Sequence, residues 1–151
     1  MILLDTSFLI HIIRQRIQAI KLLSFLENFP IYTTVINIYE IWFGFYKNKS
    51  LRENEEYRLK VKTRIEQLLD KVLILNLTES TSKESAKIAG TLIGDGEDIG
   101  DKDSLIAGIM LKHGIKAIIT DNDYHFKRIS GILPIAETIK KKNLRNILDK
   151  L

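Results

Sequence analysis

Cysteine is absent from this sequence, which excludes disulfides and thiolate metal sites and fits a reducing interior. With two prolines and eight glycines it shows no internal repeat, linker or low-complexity segment. Long hydrophobic runs are missing too. The most apolar stretch, residues 35–46, is interrupted by Asn37 and Glu40 and is too short to span a bilayer. Met1-Ile2-Leu3-Leu4-Asp5 carries no basic n-region or cleavage site, so a soluble, cytoplasmic protein is expected, with no membrane partner. There is no P-loop and no G-x-G-x-x-G. The acidic loop from Asp95 is no EF-hand, because Ile99 and Ile106 occupy positions that must carry oxygen ligands. Asp5-Thr6-Ser7 lacks the second aspartate that an aspartyl-phosphate phosphatase carries two residues on. His11, His113 and His125 share no metal-ligand spacing and read as surface or capping residues.

What is present suffices for one domain over residues 1–151, since 45% hydrophobic residues can bury a core without staples. Twenty-three basic against nineteen acidic side chains give a net charge of +4, which suits a phosphate-bearing partner. Short apolar runs alternate with helical patterns. Ile2-Leu3-Leu4, Ile31-Tyr32-Thr33, residues 72–75 and residues 117–120 read as strands, and Leu133-Pro134-Ile135 as an edge strand that tolerates proline. Helices are predicted over residues 7–27, interrupted near Arg14-Gln15-Arg16, and over 35–47, 51–70, 78–92, 101–113 and 136–150. Strands that are apolar throughout and alternate with helices imply an α/β fold with a mainly parallel sheet covered on both faces. Such sheets bind ligands beyond the carboxyl ends of their strands, where Asp5 and Asp121 fall.

Each acid also has a structural explanation. Asp5 is placed to cap the following helix, although Thr6 and Ser7 are equally competent. Asp101 and Asp103 sit in a first helical turn, where the dipole favours acids; Asp101 reads as a surface cap. The apolar and small face Ser104-Leu105-Ile106-Ala107-Gly108 would hold Asp103 against the sheet. Asp121 and Asp123 flank Asn122 in what is a common turn sequence. Glu40 stands in a helix apolar nearly all round, which is expected to be buried. Asn37, Glu40 and Gly44 form its polar or small stripe. That stripe faces solvent, or Glu40 pairs with a lysine, or it looks into an acidic pocket with Gly44 permitting close packing. Carboxylates about 4–5 Å apart at an effective dielectric near 20 repel by roughly 3–4 kcal/mol per pair. Protons or cations must offset that. An all-oxygen donor set selects Mg²⁺ or Mn²⁺, which suits phosphodiester hydrolysis.

In order along the chain, Ile2-Leu3-Leu4-Asp5-Thr6-Ser7, the Glu40 helix with Gly44, Asp103-Ser104-Leu105-Ile106-Ala107 and Thr120-Asp121-Asn122-Asp123-Tyr124-His125-Phe126 resemble the PIN-domain family, and within it the VapC-type toxin ribonucleases. The resemblance covers essentially the whole chain. It implies a three-layer α/β/α fold with four to five strands and an endoribonuclease dependent on Mg²⁺ or Mn²⁺. It also implies RNA as substrate, a cognate antitoxin and a homodimer. Family acidic positions fall on Asp5, Glu40 and Asp103, with Asp121, or else Asp123, as the fourth. Thr6 or Ser7 would donate a hydroxyl to metal-bound water or phosphate. Arg52, Arg58, Lys60, Lys62 and Arg64, with Lys140-Lys141-Lys142 and Arg145, are candidate phosphate contacts. Two alternatives are a catalytically inactive PIN-like domain that binds RNA or protein, and an Mg²⁺-dependent phosphatase on a similar sheet.

Overall fold

Ile2, Leu3 and Leu4 are all fully buried, yet they belong to two different cores, because successive strand residues face opposite sides of a sheet. In this computed structural model, which describes residues 1–136 and 141–149, those three residues form β1 at the centre of the sheet. Strands β2 (Ile31–Thr34), β3 (Leu73–Leu75), β4 (Ala117–Ile119) and β5 (Leu133–Ile135) complete it in the order β3-β2-β1-β4-β5. Every pairing is parallel. Ile2 and Leu3 register with Ile31 and Tyr32 on one side, and with Ala117 and Ile118 on the other.

The chain builds outward from β1 through β2 to β3, then returns across the sheet to lay down β4 and β5. Connections therefore leave β1 and β4 in opposite directions, which opens a crevice at their carboxyl ends. Helices α1 (Thr6–Ile13), α2 (Ile17–Leu26), α3 (Val35–Lys47), α4 (Lys49–Glu53) and α5 (Glu55–Leu69) follow β1 and β2. Helices α6 (Glu79–Gly94) and α7 (Asp101–Lys112) fill the return, and α8 (Asp123–Phe126) and α9 (Lys141–Leu148) come last. On one face Ile2, Leu4, Ala117 and Ile119 pack with Phe8, Ile12, Leu26 and Ile65; on the other Leu3 and Ile118 pack with Ile106, Ala107 and Met110. The result is a three-layer α/β/α fold, as expected from the strand pattern.

Four expectations change. The run 51–70 is not one helix: Asn54 caps α5 by accepting from the Tyr57 N–H, and breaks the chain there. The Asp121–Asp123 turn leads straight into a short helix, since α8 starts at Asp123. Edge strand β3 is not covered on both faces, because Leu73 and Ile74 remain exposed. Helix α3 is not buried all round either: Asn37, Ile41 and Phe45 face inward, while Tyr39, Phe43 and Tyr46 are exposed. The Lys140-Lys141-Lys142 side chains lie outside the described residues, as does part of the expected 136–150 helix.

Candidate active site

Asp5 follows β1 and occupies the N-cap position of α1, but its side chain makes no cap hydrogen bond. Its carboxylate is turned into the protein. Oδ2 accepts from Thr120 Oγ1 at 2.7 Å and Ser7 Oγ at 2.9 Å, and Oδ1 accepts from Asn37 Nδ2 at 3.1 Å. Each donor has a structural reason to be there. Thr120 follows β4 directly, beside the end of β1, and Ser7 lies one residue into α1. Asn37 is fully buried at the third position of α3, where its amide oxygen closes a reciprocal cap with Thr34. The same amide also donates to Thr6 Oγ1 at 3.0 Å, and Thr6 donates in turn to Glu40 Oε2 at 2.5 Å.

From Asp5 the network runs the other way as well. Thr120 Oγ1 accepts from the Asn122 backbone N–H at 2.9 Å, and Asn122 Nδ2 donates to Asp103 Oδ2 at 2.6 Å. Asp103 also meets His125 Nδ1 at 2.6 Å. A continuous polar path thus joins Glu40, Thr6, Asn37, Asp5, Thr120, Asn122 and Asp103 across the carboxyl ends of β1 and β4. Glu40, Asp5 and Asp103 are thereby linked at one end of the sheet, with Thr6, Asn37, Thr120 and Asn122 between them. Helix α7 delivers Asp103 because it presses on α6: a Cβ on Gly108 would lie 2.1 Å from Ser85 Oγ and 2.6 Å from the Ser85 backbone nitrogen.

The 121–123 turn behaves differently. Asp121 is half exposed and its Oδ2 sits 3.1 Å from His11 Nε2, while its N–H donates to Ser7 Oγ. Asp123 pairs with Lys127. Asn122 is the residue of this turn that touches Asp103. Asp101 is exposed in the first turn of α7, as a surface acid would be.

Charge is compressed here. Burial pushes the Asp5 carboxyl above its ordinary value despite the bonds from Thr120 and Ser7, and the Asp103 charge adds to the rise. Burial also raises Asp103, opposed by His125 and reinforced by Glu40. Lys102 Nζ lies 3.0 Å from Glu40 Oε1, and that bond raises the lysine. Glu40 therefore both pairs with a lysine and faces the acidic pocket. Gly44 does not permit a close approach; nothing lies within 4 Å of a Cβ built there. Instead it lines, with Glu40, a groove of about 240 Å³ between α1, α3 and α5.

Among the described residues, no three His, Asp or Glu side chains already stand together as a metal site. The acids are spaced by the hydroxyls and amides between them. The donor set nonetheless fits a hard cation: it is carboxylate oxygen throughout, and Asp5 and Asp103 are destabilised as anions by burial and by a neighbouring carboxylate.

The histidines were read from sequence as surface or capping groups. That suits His113, whose Nδ1 meets the Ile109 carbonyl at the end of α7. It misses His125 and His11, each of which faces an acid of the site or its rim. A usable signal for His125 was its spacing of three from Asn122, which places both on one side of α8.

Fold and site together define an α/β/α protein that gathers carboxylates where a parallel sheet changes direction. The chain belongs to the PIN-domain family, whose sequence model matches residues 2–132. It is similar to a chain in the structure of VapBC-1 from nontypeable Haemophilus influenzae, at 28% identity and a TM-score of 0.71, covering 92% of this chain and 100% of that one. It is also similar to a chain in VapBC2 from Rickettsia felis bound to a promoter DNA fragment, at 22% identity and a TM-score of 0.77, over 90% and 98% of the two chains. A third likeness is to FitAcB from Neisseria gonorrhoeae, at 23% identity and a TM-score of 0.75, over 91% and 98%. Among curated protein sequences nothing matches.

Proposed function

We propose that this chain is a divalent-metal-dependent endoribonuclease, using Mg²⁺ or Mn²⁺, and the toxin of a toxin–antitoxin pair. The observation that carries this reading is the polar path joining Glu40, Asp5 and Asp103, in which burial raises both aspartates, reinforced at Asp5 by the Asp103 charge and at Asp103 by the Glu40 charge. Such a cluster persists when a cation offsets it. Asp5, Glu40 and Asp103 would hold the ion, with Asp121 as fourth acid at the rim. When bound, the metal supplies charge neutralisation for a phosphodiester oxygen and activates water.

The chain's own residues do the rest. Asn37 orients Asp5 and Thr6 from within α3, and the Thr6 hydroxyl fixes Glu40. Asn122 and His125 hold the inner oxygen of Asp103. Lys102 stands at the mouth, about half exposed, as a cation for an incoming phosphate.

PIN domains of VapC systems are generally nucleases, and the similar structures are VapBC and FitAB complexes, which supports a partner antitoxin for this chain and a dimeric assembly. No described helix is long and apolar enough to cross a membrane, which is compatible with a cytoplasmic site of action.

The test is cleavage of an RNA pool by protein purified free of host nuclease. Cutting should require Mn²⁺ or Mg²⁺ and be lost in Asp5→Asn and Asp103→Asn. Equal cutting in EDTA, or by either variant, sinks the metal-site reading. Metal binding without cleavage of any RNA supports the non-catalytic PIN-like domain, and turnover of a small phosphate ester without RNA supports the phosphatase. For the antitoxin, co-expression with the reading frame beside this gene should yield a stable complex.

A further inference from the structure

Helix α3 sends its 37, 41 and 45 positions inward, so Tyr39, Phe43 and Lys47 recur every four residues on the outward face, about 6 Å apart along the helix. Tyr39 and Phe43 are 59% and 49% exposed, and among the described residues neither ring packs into either apolar cluster. They pack on each other, with centroids 5.9 Å apart and planes within 21°. A lysine covers each end of the pair. Lys102 Nζ is 5.9 Å from the Tyr39 centroid, and Lys47 Nζ is 5.6 Å from that of Phe43. Lys102 is also bonded to Glu40, so the row begins at the carboxylates and runs away from them.

We propose that Tyr39 and Phe43, bracketed by Lys102 and Lys47, form a stacking strip for unpaired nucleobases of an RNA strand whose phosphate lies at the carboxylate site. The proposal rests on the ribonuclease reading and names its substrate class as single-stranded RNA. Exposed rings flanked by cations are a surface that binds single strands, since every base has a face to stack and every linkage a charge to neutralise. Paired bases would offer no free face to Tyr39.

Fluorescence anisotropy with a labelled single-stranded RNA, in EDTA so that the strand stays intact, tests the strip. Tyr39→Ala and Phe43→Ala should each weaken binding about tenfold, while Tyr39→Phe stays within about twofold. An abasic strand should bind the wild type and Tyr39→Ala equally. Lys47→Gln should lower the slope of log affinity against log salt by about 0.7. Alanine variants that bind like the wild type while the wild type still cuts RNA with Mn²⁺ overturn the strip and leave the ribonuclease reading intact. Strand binding that depends on Tyr39, without any cleavage, does the reverse. Unchanged RNA binding together with altered oligomeric state by light scattering assigns the face to a protein contact and overturns the proposal. A wild type that binds no single strand also overturns it. Circular dichroism confirms that each variant is folded.

Discussion

Asp5 and Asp103 lie at the same end of the sheet and are held by opposite means. Asp5 is almost fully buried and kept in place by neutral donors on three elements: Ser7, Asn37 and Thr120. Asp103 is more open and, besides the Asn122 amide, leans on His125, as Glu40 leans on Lys102 and Asp121 on His11. Neutral donors position a carboxylate without offsetting its charge, whereas an ion pair already offsets it and can be exchanged for a bound cation. The difference separates a fixed anchor from a rim whose charges are free to be rearranged by metal and substrate.

The strongest way to break the comparison is to neutralise both kinds of acid. Asp5→Asn and Asp103→Asn should each lower RNA cleavage by at least about a hundredfold, a loss typical of removing one charge-stabilising group. The two should differ in repair. High Mn²⁺ should recover part of the activity in Asp103→Asn, at the exchangeable rim, and none in Asp5→Asn. Equal recovery in both would erase the distinction. Initial rates against metal concentration read it directly.

Next in size is the scaffold of the anchor. Asn37→Ala removes the donor shared by Asp5 and Thr6 and also opens the cap of α3. Leaving those groups unsatisfied should cost about 1–3 kcal/mol, seen as a lower urea midpoint. His125→Ala removes a partner from the more open acid and should cost less than Asn37→Ala. The opposite order would mean that the rim, not the anchor, is the rigid part.

The pH dependence sharpens the contrast further. Both aspartates are raised in the folded protein, so folding favours their protonated forms. That contribution is fully present below the ordinary aspartate value of 3.8 and is lost as pH rises through the raised folded values. Thermal midpoints of the metal-free protein should therefore fall over that window, and Mn²⁺ should restore them more at neutral than at acidic pH. Asp5→Asn should flatten the profile more than Asp103→Asn, because Asp5 is almost fully buried whereas Asp103 is more open. A profile unaffected by either substitution counts against the burial of charge at this site.

Much of this was legible in sequence because it is local. The alternation of β1 and β4 between two cores needs a covered sheet, and unbroken apolar strands imply one. Asp5 could not be sorted from a cap, since the deciding partners, Asn37 and Thr120, come from distant elements. For His125 the spacing of three from Asn122 is visible in sequence, but its partner Asp103, 22 residues away, is not. Glu40 was weighed on a premise that failed. An apolar helix is expected to be buried, yet α3 exposes Tyr39, Phe43 and Tyr46. Periodicity marks which faces are apolar, not which of them find a neighbour, and aromatic rings keep that ambiguity because they serve a core and a ligand equally well.

The smallest expected effect lies at Lys102, which tests whether the rim is truly exchangeable. Its amine is half exposed and bonded to Glu40, so replacing it should barely alter stability, within the range of a surface ion pair, about 0–1 kcal/mol. Its charge opposes any cation arriving at Glu40. Lys102→Gln should therefore tighten Mn²⁺ binding several-fold by calorimetry, while weakening RNA binding through the loss of one phosphate contact. The two changes must run in opposite directions. If Mn²⁺ binds Lys102→Gln no more tightly than the wild type, Glu40 is not an exchangeable member of the site, and its ion pair with Lys102 is part of the scaffold.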